Sequence, residues 1–461
     1  MGGALYERKW AWDSLPREEV NSFSEEYKGF LSEVKTERES VKYILKMAKK
    51  EGFENLEDLS KLSPGDRVYM ELRGKSIILG IIGKEPRFRV IGSHIDAPRI
   101  DLKPLPVYED SGIAMLKTHY YGGIKKYQWV NIPLAMHGLV VLKSGEKIEV
   151  KIGEEDDSPV LLVPDLLPHL AKKQGERKLS DGIKGEELRL IFGNMPYSDS
   201  NEKNKKEKDR VKKNVLRILK EEYGIEEEDL ISAELEIVPA LKARDAGIDK
   251  SMVAAYGQDD RVCAFTQLKA TLDLNGVFKE TIVSCFVDRE EIGSDGDTGA
   301  KSNFLEYFLE ELMDRSAFEE KLNRALINSK AISADVNAAV NPLYKEVHEE
   351  QNAAYLGKGV VLTKYTGARG KYLASEAHAE YVGWIRKILD ERKIPWQPGL
   401  LGKVDEGGGG TIAKYLAKRG MQVIDMGPPV LSMHSPYEIT SKADVYSAYL
   451  AYKAFFEAEN K

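Results

Sequence analysis

This 461-residue sequence predicts an α/β fold built on a mostly parallel sheet, with a β-rich insertion in its middle third. Three observations lead there. Apolar, β-branched runs alternate with amphipathic stretches towards both chain ends, acidic residues or histidines follow several of those runs, and the middle lacks the alternation. Strand–helix alternation favours parallel strands joined by crossover helices.

Residues 18–52 carry helical periodicity rich in Glu and Lys and stop at Gly52. From Asp66 to Leu102 the chain turns strand-like, with "SIILGIIG" and "RFRVIGSHIDAP". The next segment holds "GLVVLKSGEKIEVKIG" and then the charged run "SDSNEKNKKEKDRVKKN", which is expected to form an exposed or disordered loop. Alternation resumes after Ala254, through "ETIVSCFV" (strand), "LEYFLEELMDRSAFEEKLNRAL" (helical) and "SKAISADV" (strand). It continues through "EAHAEYVGWIRKILDERK" and "GTIAKYLAKRG" (helical) and "MQVIDMG" (strand) to a closing helix. The chain therefore divides as 1–104, the first part of an α/β domain, 105–245, the insertion, and 246–461, the second part.

Hydrophobic residues make up 42% and charged ones 31%, an ordinary composition for a water-soluble chain. A net charge of −7 gives no basic face for nucleic acid and no polycationic membrane patch. No apolar run approaches the roughly 20 residues that span a bilayer. The start "MGGALYERKWAW" lacks a signal peptide's apolar core, and Cys263 and Cys285 sit in apolar contexts that suit buried free thiols. A cytoplasmic location is the expectation.

The chemistry concentrates at strand ends. In "IVSCFVDREEIGSDGDTGA" an apolar run ends at Val287 and is followed by adjacent acids, Glu290 and Glu291. On a regular strand neighbours point to opposite faces, but past a strand's end both can lean over one pocket. His94 and Asp96 stand two apart in "VIGSHIDAPRIDLKP", a spacing that lets a carboxylate support a ligating imidazole. Asp259 and Asp260 lie in "YGQDDRVCAF", Asp335 in "AISADVNAAVNP" and His434 in "VLSMHSPYE". A lone histidine near a proline turn is usually a structural hydrogen-bonder, and adjacent acids are usually a solvated pair. The joint pattern changes that, because sites in open α/β sheets form beyond the carboxyl ends of the strands.

Two divalent metals need a bridging carboxylate and about two further ligands each. Asp259 can bridge, with His94 and Asp335 on one metal and Glu291 and His434 on the other, although spacing does not fix that distribution. Mixed imidazole and carboxylate ligation suits two zinc ions, with cobalt or manganese as substitutes. Glu290 is then left as general base. The run Gly407 to Gly410 lacks the "GK[ST]" ending of a phosphate loop and instead suits close backbone approach to a substrate.

The segments "SHIDAPR", "DDR", "DREEIGS", "SADV…NP" and "MHSPYE" together resemble the aspartyl aminopeptidase family, metallopeptidase family 18, and the resemblance runs over nearly the whole chain. It implies His94, Asp259, Glu291, Asp335 and His434 as metal ligands, Asp259 bridging, and Asp96 and Glu290 as catalytic carboxylates. It implies a phosphorylase/hydrolase-like zinc-peptidase core formed by the two chain ends, with the middle third as a dimerisation domain. Dimers would assemble into a dodecamer acting on peptides with a free N-terminus. His169, in "VPDLLPHLAKK", matches a histidine reaching a neighbouring subunit's site, where it contacts substrate or metal; Lys364 and Gly410 fall near substrate-binding positions.

Two departures stand out. Where the family commonly reads "DMAHAVHPN" this chain reads "DVNAAVNPL", placing Ala338 and Asn341 at usual histidine positions and leaving an acidic preference open. Asp260 stands where Asn is common. Rival readings keep the dinuclear site for a deacylase or carboxypeptidase, or make the chain a non-catalytic oligomeric shell.

Overall fold

The computed structural model describes residues 6–198 and 208–458 and divides into two compact units. The first comprises residues up to Ala97, Ala243–Met433 and those from Tyr437 on; the second comprises Pro98–Lys242 and His434–Pro436.

The first unit is mixed α/β. Its large sheet runs, in spatial order, Glu54–Asn55, Arg67–Leu72, Ser76–Ile81, Glu280–Val287, Glu85–His94, Lys330–Ser333, Gln422–Gly427, Val360–Thr363 and Trp396–Pro398. The central four, Glu280–Val287 to Gln422–Gly427, are mutually parallel, whereas Ser76–Ile81 and Val360–Thr363 flank them antiparallel. Both faces are covered. Ile77, Leu79 and Ile91 enter one hydrophobic cluster, while their neighbours Ile78 and Val90 enter the other. Alternate side chains of a strand point to opposite faces, so a doubly covered strand is largely apolar, with any polar residue paired. In Glu280–Val287 every residue is buried, and five of the eight are apolar.

Two helices account for the periodicity at the start of the chain, Arg17–Glu33 and Glu37–Lys50. The break is made by Thr36, whose hydroxyl accepts from the Glu39 amide at 3.2 Å while the Glu39 carboxylate accepts from the Thr36 amide at 3.1 Å. That reciprocal pair satisfies otherwise orphaned helix-end donors. Phe23 of the first helix packs its ring 5.4 Å from Phe265 and 4.8 Å from Tyr449. The stretch 305–326 likewise forms two helices, Phe304–Arg315 and Leu322–Ile327.

The second unit centres on a six-stranded antiparallel sheet. Of the charged run expected as a loop, residues 198–214, positions 199–207 lie outside the described residues, and its last five residues need correcting. Arg210–Tyr223 is a helix, burying Val211, Val215 and Leu219 and ending at Gly224 with φ of 70°. Those three apolar residues keep helical spacing among the lysines, and a loop reading based on charge density overlooked it.

One buried ion pair ties sheet to helix in the first unit. Arg89, 2% exposed, meets the Glu280 carboxylate through Nε, donates from Nη1 to the Phe455 carbonyl at 2.8 Å, and lies 4.8 Å from the Trp384 ring centroid. A Glu280→Gln variant leaves that guanidinium buried without its countercharge. It is expected to lose on the order of 3 kcal/mol of unfolding free energy, read as a lower denaturant midpoint; an unchanged midpoint would contradict the pairing's importance.

Candidate metal centre

The central parallel strands deliver their carboxyl ends to one edge. Val287 is the register partner of His94, and Ser333 that of Gly92. Residues just past each strand therefore gather there: Asp96 after Glu85–His94, Glu290 and Glu291 after Glu280–Val287, and Asp335 after Lys330–Ser333. Asp259 and Asp260 come from a different element, the start of Gln258–Leu272, where their backbone is still non-helical.

His94 is the hub. Its ring is 2% exposed, with Nε2 3.2 Å from Asp259 Oδ1 and Nδ1 3.3 Å from Asp96 Oδ1. Its backbone amide donates to Asp260 Oδ2 at 3.3 Å. Asp96 is fully buried, and its two carboxylate oxygens accept the amides of Glu290 and Glu291 at 3.1 and 3.2 Å. One carboxylate thus orients both the imidazole and the paired glutamates. Asp259 is set from behind by Glu438, whose carboxylate accepts the Asp259 amide at 3.0 Å. Gly427 allows Asp335 its place, because a Cβ at that position would stand 2.1 Å from the Asp335 carbonyl oxygen.

The glutamate pair is shaped by the turn before it. Arg289 adopts φ of 67°, and Glu290–Ile292 follows as a short 3-10 turn. The pleat breaks, as expected of two neighbours that must face one pocket.

Ligand-capable atoms fall into two groups sharing His94, one with Asp260 and Asp335 and one with Asp259 and Glu291, each within 4.8 Å. The electrostatics are those of acids forced together out of water. Burial raises the Asp260 carboxyl well above its usual range, with Asp259 adding to the rise. Burial and then the Asp260 charge do the same to Asp335. Glu290 is pushed up to about 7, by burial first and by Asp96 and Asp259 after it, against the lowering effect of His94. Burial opposes charge on His94, but its bonds to Asp259 and Asp96 outweigh that and raise its pKa. Oxygen and imidazole donors, without thiolate, gathered where like charges repel, fit a borderline divalent cation such as zinc.

The other candidate residues are not members of these two groups. His434 belongs to the second unit, with φ of 64° and its Nδ1 2.9 Å from the Gly123 carbonyl oxygen. His169, also in that unit, is exposed on the short turn Pro168–Leu170. Lys364 is exposed, its Nζ 3.6 Å from Glu376, and Gly410 lies in an exposed loop where a Cβ would come 3.1 Å from the Lys414 amine. Asp260, read from sequence as one of the converging acids but not as a ligand, has a carboxylate within ligand reach of His94 and Asp335. The supporting role of Glu438 was missed; its signal was its place in "MHSPYE", four residues past His434.

Comparison with known proteins identifies the family. The family model described as "Aminopeptidase I zinc metalloprotease (M18)" matches residues 30–456. A probable M18 family aminopeptidase 1 from Borrelia garinii subsp. bavariensis is 50% identical, over 97% of this chain and 98% of its own. The crystal structure of an M18 family aminopeptidase from Thermotoga maritima superposes with a TM-score of 0.94 at 48% identity, covering 98% of this chain and all of that one. At greater distance, a Saccharomyces cerevisiae mApe1 dodecamer shares the fold at 23% identity, with a TM-score of 0.75 over 95% of this chain and 97% of that one. The chain belongs to the M18 family of zinc metalloprotease aminopeptidases and is a metalloexopeptidase.

Proposed function

We propose that this enzyme removes N-terminal residues from peptides at a centre of two zinc ions held by His94, Asp259, Glu291, Asp335 and His434, with Asp259 shared. The observation that supports the reading is that four of these five residues, His94, Asp259, Glu291 and Asp335, fall within two overlapping groups of ligand-capable side chains; His434 and the sharing of Asp259 come from the family resemblance. Cobalt or manganese would suit the same donors. Bound zinc supplies Lewis acidity to the scissile carbonyl and makes water acidic enough to attack near neutral pH.

The chain's own residues do the rest. Glu290 is not needed as a ligand, because its neighbour is; it takes the proton from the attacking water and hands it to the departing amine as the C–N bond breaks. Asp96 keeps the His94 ring and the glutamate turn in register. The surrounding carboxylates favour a free, positively charged α-amine on the substrate, which makes the reaction an exopeptidase's. Gly410 gives the substrate backbone close approach, and Lys364 exchanges its Glu376 partner for a substrate contact.

Self-assembly belongs to the same reading. The middle domain, about 105–245, would pair two copies, and such dimers would build a dodecamer in which His169 contacts substrate in a neighbouring subunit's site. Exposed Leu166, Leu167, Leu170 and Leu179 surround His169 in sequence and support a covered surface there. The S. cerevisiae mApe1 relative is solved as a dodecamer. No helix among the described residues is long and apolar enough to cross a membrane, in keeping with a cytoplasmic enzyme. Nucleic acid has no place as a partner.

Replacing Glu290 by Gln is expected to lower kcat roughly 10²–10⁴-fold with zinc content retained; normal turnover would remove Glu290 from its role. Across aminoacyl-p-nitroanilides of Asp, Glu, Leu, Lys and Ala, chelator-sensitive release is expected, with neutral residues cleaved at least as fast as acidic ones. Ala338 and Asn341 offer no cation to an acidic side chain, and a clear preference for Asp or Glu would contradict that reading. An N-acetylated peptide should resist cleavage, whereas its hydrolysis would favour the deacylase alternative. Since burial pushes the Glu290 carboxyl up to about 7 and raises Asp260 and Asp335, the metal-free cluster is expected to hold protons at and below neutrality. Zinc uptake should therefore release protons and weaken as pH falls through about 7. Calorimetry in buffers of different ionisation enthalpy reads this directly, and no proton release at pH just below that value would contradict it.

A further inference from the structure

We propose that Asp288 and Thr298 form a positioning pair that fixes the turn carrying Glu290 and Glu291, an inference that rests on the reading of Glu290 as the proton carrier. Both residues are 2% exposed, and they close the two ends of the loop 288–298. The Asp288 amide donates to the Thr298 carbonyl at 3.2 Å, and the Thr298 hydroxyl returns a bond to Asp288 Oδ2 at 2.9 Å. The other Asp288 oxygen accepts the Arg289 amide at 2.7 Å. Arg289 Nε donates to the Thr298 hydroxyl at 3.1 Å, so that hydroxyl both gives and takes.

Two of these four bonds reach Arg289, whose left-handed conformation turns the chain from strand to glutamate pair, and the other two join the residues that hold it. A non-glycine residue holds that conformation only where its surroundings enforce it. Two further contacts anchor the loop. Ser76 Oγ donates to the Thr298 carbonyl at 2.6 Å, tying it to the neighbouring strand, and the Ser294 amide donates to the Arg289 carbonyl at 2.7 Å. Gly299 lets the loop close, since a Cβ there would stand 2.3 Å from the Ser294 carbonyl oxygen. On the opposite side Asp96 holds the amides of Glu290 and Glu291. The acid pair is thus gripped by Asp96 at its own backbone and by Asp288–Thr298 at the turn that aims it. Neither Asp288 nor Thr298 touches substrate in this role; both act through the glutamates.

The test uses the zinc-loaded full-length protein and its Thr298→Val, Thr298→Ser and Glu290→Gln variants. Thr298→Val is expected to lower kcat about 10–100-fold with KM changed less than about twofold, the usual cost of losing a partner that orients such a group. Because Glu291 shares the turn, zinc should also pass faster to a colorimetric chelator. Thr298→Ser, which keeps the hydroxyl, should restore both. Unchanged kcat and chelator rate in Thr298→Val, or a Ser variant as impaired as the Val, would overturn the proposal. If Thr298→Val does not fold, Arg289→Lys removes the guanidinium bond from the half-exposed side of the turn. It should slow turnover and hasten zinc transfer, and unchanged values there would equally overturn the pair. Normal turnover in Glu290→Gln would refute the proton-carrier reading, while the chelator rates would still report on the placement of Glu291.

Discussion

Mutual repulsion among buried carboxylates is the constraint around which the first unit is organised. Asp96, Asp259 and Asp260 are almost wholly excluded from water, with Asp335, Glu290 and Glu291 beside them and one imidazole at their centre. Burial raises three of them, Asp260, Glu290 and Asp335, above the ordinary carboxylate range. Burying an ionised carboxylate without compensation costs several kcal/mol. A fold that holds six of them together needs rigid support from the backbone and a cation to offset the charge. Both requirements are visible, the first in the Asp96, Glu438 and Asp288 bonds and the second in the donor set itself.

The parallel sheet supplies the rigidity. Its central strands are buried on both faces, so their register is fixed by packing rather than by the polar residues at their tips. Four strands running the same way bring four tips to one edge, and a polar cluster follows from topology once acids occupy the tips. The helix from Gln258 adds its first residues from another direction. Negative side chains at a helix start are favoured by the local backbone dipoles, which eases the placement of Asp259 and Asp260.

Much of this was legible in the sequence, for physical reasons that differ from one element to the next. "IVSCFV" reads as a buried strand, and it lies within one, Glu280–Val287. That His94, Glu290, Glu291 and Asp335 would gather at one sheet edge was readable, because each ends or follows such a run and parallel strands must end together. Local chemistry was harder. Nothing in "DDR" distinguishes Asp260 as a near-ligand from a spectator, because that depends on a backbone path set by Glu438, nearly 180 residues away. The Asp288–Thr298 pair hides similarly, since a strand-end Asp and a loop Thr are ordinary until the loop closes. Helix Arg210–Tyr223 was concealed by lysines that share its surface with three buried aliphatic side chains. Sequence patterns report burial well and report which polar groups meet across the chain poorly.

The most direct test of the central claim, that this acid cluster is a zinc centre and the seat of the chemistry, is zinc K-edge X-ray absorption on the zinc-loaded protein. The account predicts nitrogen and oxygen ligands at about 2.0 Å with no sulfur shell, and a second zinc scatterer at about 3.5–4 Å. The zinc–zinc feature should disappear when Asp259 is replaced by Ala. Sulfur ligation, or a spectrum unchanged by that replacement, would contradict it.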